Sequence, residues 1–361
     1  MSRYVARTAC RACRMARAGY KTGAVVAARS SPSTSTLPST TFIRYLASSS
    51  HPMASKVSPH ASYAGTKANT PLVHTFFDKQ TATWTYVVVD PATRSCYVID
   101  PVLDYDAASG RVSFTTVEAL KSFIDAEGLH VDRIIETHVH ADHLTGAMAL
   151  KRILPSHPPI YVGSRVDKPQ AHFSPMYGFS HADLQGSFDG HLVDNEKLKL
   201  GELEVTFLPL PGHTPDSMGI LVGDALFAGD SLFMPDVGTA RVDFPGGSAK
   251  ALFESVQKVF SLDPDVRIFA GHDYPDGRDV ASMSTVAEQM ARNKHVGAGA
   301  TMDEFVKVRE ARDATLGSPK LLHPSLQVNL RAGRLPPADE HGRQALKTPV
   351  RLPEDNPLTG V

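Results

Sequence analysis

The chain has 361 residues, 42% of them hydrophobic and 21% charged, with a formal net charge of −1. That apolar share is ample for a packed core and excludes a wholly disordered chain, and no run of about 18 apolar residues offers a membrane-spanning helix. The first acidic residue is Asp78, so ten of the 37 Lys and Arg fall in residues 1–77, and the rest of the chain, with 27 bases against 38 acids, carries −11. Such a balance argues against a nucleic-acid surface, because phosphate contacts need clustered cations.

An Arg-rich, Ser-rich start free of acid has the composition of a mitochondrial presequence. Residues 1–68 are therefore read as presequence and linker, 69–300 as the main domain, and 301–361 as a C-terminal helix and extended tail packed on it. The expected location is the mitochondrial matrix, and Met53 in Met53-Ala54-Ser55 is an internal start that would give a cytosolic form. Three cysteines exclude a disulfide framework. Cys10 and Cys13 form a C-x-x-C pair inside the leader and receive no redox role, and Cys96 reads as a buried strand residue.

Along the chain, β-branched and aromatic runs predict strands at 72–77, 83–89 and 96–99. Val117, Leu120, Phe123 and Ile124 have the spacing of an amphipathic helix over 115–126. A short strand at 133–136 and a helix at 144–154 follow. Further strands are expected at 160–162, 203–208, 218–222 and 225–228, then a helix at 250–260, a strand at 267–270 and helices at 281–295 and 302–314. Residues 175–179 read as a loop packed by its own aromatics rather than as a mobile flap, and the Pro-rich stretch from 335 as surface chain.

Metal-ligand side chains punctuate this pattern. His138, His140, Asp142 and His143 lie within six positions directly after a predicted strand, and His213, Asp230 and His272 each follow a later one. Such clustering is costly unless a cation or a wet cleft uses it, and residues at successive strand ends converge on one edge of a layered fold. A lone H-x-H is weak evidence; all seven residues in this order carry more. The remaining histidines, His157, His172, His181, His191, His295 and His323, fit no ligand spacing and read as surface or cap residues. There is no G-x-S-x-G elbow and no phosphate-binding glycine loop.

The run Thr137-His138-Val139-His140-Ala141-Asp142-His143, together with Leu210-Pro211-Gly212-His213, Gly229-Asp230 and Gly271-His272, resembles the metallo-β-lactamase superfamily. The resemblance covers about residues 70–295 and implies an α/β fold, an αββα sandwich of two mixed sheets flanked by helices. His140 stands where flavodiiron-type members carry an acid. Glyoxalase II-type thioesterases use all seven positions for two metals: His138, His140 and His213 for one, Asp142, His143 and His272 for the other, with Asp230 shared. Persulfide dioxygenases keep the same residues around a single iron, so the ligand inventory leaves the two open.

Flanking motifs are similar to the dioxygenase pattern: Ile99-Asp100-Pro101-Val102-Leu103, Gly238-Thr239-Ala240-Arg241-Val242-Asp243-Phe244 and Gly271-His272-Asp273-Tyr274. Extra sequence at 168–192 and 304–337 looks like the longer, bacterial-type subgroup. The resemblance implies one Fe(II) per chain on His138, His213 and Asp230, with Zn(II) or a mixed binuclear centre as the alternative. A two-histidine, one-carboxylate set leaves open positions for substrate and O2. It also implies glutathione persulfide and O2 as substrates, with binuclear hydroxyacylglutathione hydrolysis as the rival activity. His140, Asp142, His143 and His272 then orient ligands and accept protons, or hold a second metal. Arg241 is read either as a fork for a glutathione carboxylate or as an ion pair with Asp243, and Tyr274 either as a hydrogen-bond donor near the metal or as a buried aromatic anchor. The sequence is compatible with a homodimer and does not specify one.

Overall fold

Alternation along the strand Thr83–Val89, buried over its whole length, builds two apolar faces at once. Trp84, Tyr86 and Val88 point into one core cluster and Val87 and Val89 into another. The computed structural model describes residues 57–65 and 67–352; the presequence, Cys10, Cys13 and Met53 lie outside them.

Seven strands form the first sheet, in the order Val57–Tyr63, Leu72–Asp78, Thr83–Val89, Ser95–Ile99, His130–Ile135, Ile160–Gly163 and Gly190–Leu192. Its first four strands pair antiparallel and the rest join in parallel. The second sheet has six, in the order Lys197–Leu200, Leu203–Pro209, Met218–Val222, Ala225–Gly229, Arg267–Ala270 and Met283–Thr285. A small third sheet joins Arg111–Ser113, Val102–Asp106 and Leu144–Thr145.

The two large sheets face each other across one core. Val73, Tyr86, Tyr97 and Ile99 of the first pack with Phe207, Ile220, Phe227 and Phe269 of the second. On the outer face of the first sheet lie the helices Thr115–Ala126 and Ala147–Ile153, with Leu326 and Val328 of Leu322–Asn329 in the same cluster. Against the second pack Ala249–Phe260, Val286–Arg292 and Met302–Asp313, through Leu252, Val256, Val286 and Phe305. The layering is helix, sheet, sheet, helix, as the resemblance implies. Cys96 is fully buried in its strand. Among the described residues no helix is long and apolar enough to cross a membrane.

Several boundaries differ from expectation, each for a local reason. The strand Val57–Tyr63 falls within the stretch read as linker and pairs with Leu72–Asp78. The helix expected over 144–154 begins at Ala147, since Leu144 and Thr145 are first drawn into a ladder with Leu103 and Val102. The helix expected over 281–295 is preceded by the edge strand Met283–Thr285 and spans only Val286–Arg292, because Thr285 caps it by accepting the Glu288 N–H (3.1 Å). Residues 175–177 are helical rather than loop: Asp167–Tyr177 runs through Pro175 and stops at Gly178, whose φ of 69° suits a glycine C-terminal turn.

Candidate metal centre

Strand ends deliver the site. The loop carrying His138–His143 leaves His130–Ile135 in the first sheet; His213 follows Leu203–Pro209, Asp230 follows Ala225–Gly229 and His272 follows Arg267–Ala270 in the second. All four approaches meet at one edge of the sandwich. Two glycines make the close packing there tolerable. A Cβ on Gly212 would lie 2.3 Å from Leu252 Cα, and one on Gly271 would lie 2.3 Å from Asp230 Oδ1.

His138, His213 and Asp230 offer ligand atoms that lie within 4.8 Å of one another, and so do His140, Asp142 and His143. Asp230 Oδ2 is 3.9 Å from His138 Nε2, 3.6 Å from His213 Nε2 and 3.5 Å from His272 Nε2. Asp142 Oδ2 lies 3.2 Å from His272 Nε2 and 3.5 Å from His143 Nδ1. The seven predicted side chains therefore share one centre.

The other ring nitrogens are tied down, which fixes each ring's orientation. His213 Nδ1–H donates to the Arg241 carbonyl (2.6 Å) and His272 Nδ1–H to the Ala82 carbonyl (3.1 Å), directing both Nε2 atoms toward Asp230. His138 Nδ1 meets Thr137 Oγ1 at 3.0 Å. His140 is reversed: its Nε2 sits 3.1 Å from Asp100 Oδ1 and 3.3 Å from Glu136 Oε2, so its Nδ1 turns to the centre.

Charge differs from ring to ring. Burial, reinforced by His140 and His213, holds His138 well below the usual imidazole range, so it is neutral at neutral pH. Burial also disfavours a charged His140, but Asp100 and Glu136 outweigh it and raise that ring well above the ordinary value. His272 is raised too, burial being outweighed by Asp230 and Asp142. Burial pushes the Asp142 carboxyl up, yet His272 and His143 hold it well below the carboxylate range.

A direct test of whether these residues fit a metal lies in their unpaired atoms. His138 Nε2, His140 Nδ1, His143 Nε2, His272 Nε2 and Asp230 Oδ1 are buried without a hydrogen-bond partner. Each such orphan costs about 1–3 kcal/mol, and five in one centre of N and O donors fit a cation that satisfies them together. The centre opens on a cleft of about 1160 Å³ lined by Asp142, His213, Asp230, Phe233, His272 and Tyr274.

Two predicted residues behave differently from the liganding reading. The Arg241 fork is engaged by Asp243, with Nε and Nη2 each 2.5 Å from a carboxylate oxygen, and Nη1 donates to the Gly317 carbonyl. The ion-pair alternative thus describes the side chain, and the residue serves the site through its carbonyl. Tyr274 is 51% exposed rather than buried, and its ring stacks on His272 with centroids 5.7 Å apart. Sequence reasoning missed Glu136, Asp216 and Asn329, and saw Asp100 only as part of a motif. Asp100 also accepts from Thr137 N–H and Oγ1–H (2.8 Å each), and Asp216 from Val139 N–H (2.8 Å).

Comparison with known proteins bears on this geometry. Glyoxylase B2 of Dictyostelium discoideum is 40% identical over 287 residues, covering 78% of this chain and 98% of that protein. Persulfide dioxygenase ETHE1, mitochondrial, of Homo sapiens is 29% identical over 265 residues, 73% of this chain and 89% of its own. The crystal structure of ETHE1 from Myxococcus xanthus aligns with a TM-score of 0.58 at 28% identity, covering 73% of this chain and 99% of that one. A beta-lactamase hydrolase-like protein of Xylella fastidiosa is 42% identical, and this chain spans 66% of its length. The family model of the metallo-beta-lactamase superfamily matches residues 79–272, which take in every predicted ligand, and the chain belongs to that superfamily.

Proposed function

We propose that the chain is an iron-dependent persulfide dioxygenase, using glutathione persulfide, O2 and water and yielding sulfite, glutathione and two protons in the mitochondrial matrix. His138, His213 and Asp230 would hold the iron. When bound, Fe(II) would supply open positions at which the persulfide sulfur and O2 meet.

The observation that carries this reading is the grouping of His138, His213 and Asp230, two imidazoles and one carboxylate whose ligand atoms lie within 4.8 Å of one another beside the cleft. Two buried carboxylates face the Nε2 of His140 and fix that ring's orientation. Asp142 Oδ2 stands 3.2 Å from His272 Nε2 beside that group. These residues then act on protons and orientation: Asp142 and His272 stand where a proton on the persulfide or on water can be taken up, and His213 is aimed by the Arg241 carbonyl. Tyr274 and Phe233 flank the centre where it opens on the cleft. The mitochondrial location is supported by the acid-free N-terminus and by relatives named as mitochondrial.

A second reading, binuclear thioester hydrolysis, is favoured by the unpartnered His140 Nδ1 and His143 Nε2 and by the likeness to Glyoxylase B2. There His138, His140 and His213 would hold one metal and Asp142, His143 and His272 the other, with Asp230 shared, and the pair would supply a nucleophilic hydroxide for thioester hydrolysis. Metal analysis of anaerobically purified protein, with oxygen uptake on glutathione persulfide, separates the two. One iron per chain and stoichiometric O2 consumption are expected; two zinc ions with thioester hydrolysis and no O2 uptake would overturn the dioxygenase reading.

A further inference from the structure

We propose that Asn329 is a positioning residue that couples docking of the C-terminal helix Leu322–Asn329 to metal retention by the His138–His143 loop. The inference rests on the metal reading of the site and is indifferent to which metal is bound. The loop is outside regular helix and strand until Leu144. Its backbone groups therefore need partners from elsewhere.

Asn329 supplies two of them and one for the strand that follows. Its Nδ2 donates to the His140 carbonyl (2.8 Å) and to the His143 carbonyl (2.7 Å), while its Oδ1 accepts the Thr145 N–H (2.9 Å). Both amide hydrogens and the acceptor are used, and the side chain is 4% exposed. On the far side Asp216 accepts the Val139 N–H, so the loop is clamped between the two. Thr145 closes the circuit by donating its hydroxyl to Glu136, one of the carboxylates facing His140.

Two of the three contacts are to the main chain of predicted metal-site residues, so a shift of the helix end moves His140 and His143 directly. Metal sites tolerate only about 0.2 Å in ligand distance. If docking of the helix favours the liganding geometry, metal must favour docking by the same factor. A purely structural amide would stabilise metal-free and metal-loaded protein equally. The helix does not depend on Asn329 alone: Gln327 exchanges hydrogen bonds with Lys347, accepting its N–H (2.8 Å) and donating to its carbonyl (2.8 Å).

Hydrogen–deuterium exchange on the full chain, with and without Fe(II) or Zn(II), tests the coupling without any variant. Metal should slow exchange at 322–332 at least ten-fold more than at Ala249–Phe260, on the opposite outer face, which reports only the global gain in stability. Asn329→Ala and Asn329→Asp, which lose both donors, should release metal to a competing chelator about 10–100-fold more readily. Gln327→Ala, which leaves the loop contacts intact, should hold metal like the wild type. Metal-independent exchange at 322–332, or Asn329 variants that retain metal like the wild type, would overturn the proposal. A wild-type chain that takes up neither metal would sink the metal reading itself and the coupling with it.

Discussion

Asp230 meets three imidazoles, and the room it occupies is set by a neighbour with no side chain. A Cβ at Gly271 would intrude to 2.3 Å from Asp230 Oδ1, though nothing in the Gly271 backbone itself forbids alanine. Gly271→Ala should therefore displace the carboxylate and cut bound metal by at least ten-fold while circular dichroism stays unchanged; full metal occupancy would show that Asp230 is not a ligand. A second residue-scale test concerns His295, whose Nδ1 accepts from Thr239 N–H (3.1 Å). Burial, then Arg309 and Lys294, lower it to about 4, against an unfolded value of about 6.5. Its folded form is thus favoured in full above about pH 6.5, and that contribution fades as the unfolded chain takes up the proton first, being gone below about pH 4. His295→Gln should flatten the fall in Tm over that window; an unchanged slope would refute the assignment. The seven ligand-type residues were legible in the sequence because His and Asp at strand ends are conspicuous. Glu136 and Asn329 were not, since one resembles any carboxylate at a strand end and the other lies 189 positions from His140.

At the level of elements, the helix Met302–Asp313 is tied to the loop that lines the cleft by a buried charge pair. Arg309 donates to Asp313 from Nε (2.9 Å) and to the Thr239 carbonyl (3.3 Å), while Asp313 also accepts the Val242 N–H (2.7 Å). Removing one member leaves the other charged and unpaired in the interior, a loss of about 3–5 kcal/mol. Asp313→Ala should lower unfolding free energy by that amount in urea titrations, and a change under about 1 kcal/mol would mean the pair is solvated in practice. A strong apolar stripe marks Ala249–Phe260 in the sequence, whereas Met302–Asp313 has almost none and buries its charge pair instead. The starts of Ala147–Ile153 and Val286–Arg292 were not legible there, because Leu144–Thr145 and Met283–Thr285 are claimed by strands that only the folded sheets provide.

For the whole molecule, the decisive fact is that the site is split between the two sheets. The His138–His143 loop comes from the first, and His213, Asp230 and His272 from the second. The aromatic core behind them, where Phe227 stacks on Phe269 at 5.1 Å and Tyr86 meets both edge-on, holds the sheets face to face without help from a metal. A bound cation would therefore act as a cross-link at the open edge, and one that binds only the folded chain stabilises it by about 4 kcal/mol at a thousand times its dissociation constant. Tm should climb with the logarithm of metal concentration, and acid should erase the rise as the liganding imidazoles take up protons in competition with the cation. The two contributions separate by mutation. Phe227→Ala, costing about 3–5 kcal/mol, should lower Tm with and without metal alike, whereas His213→Ala should abolish the metal-dependent increment and leave the metal-free Tm nearly unchanged or higher, since it removes one of the crowded imidazoles. A metal-dependent increment that survives His213→Ala at full size would place the cation outside the seam between the sheets.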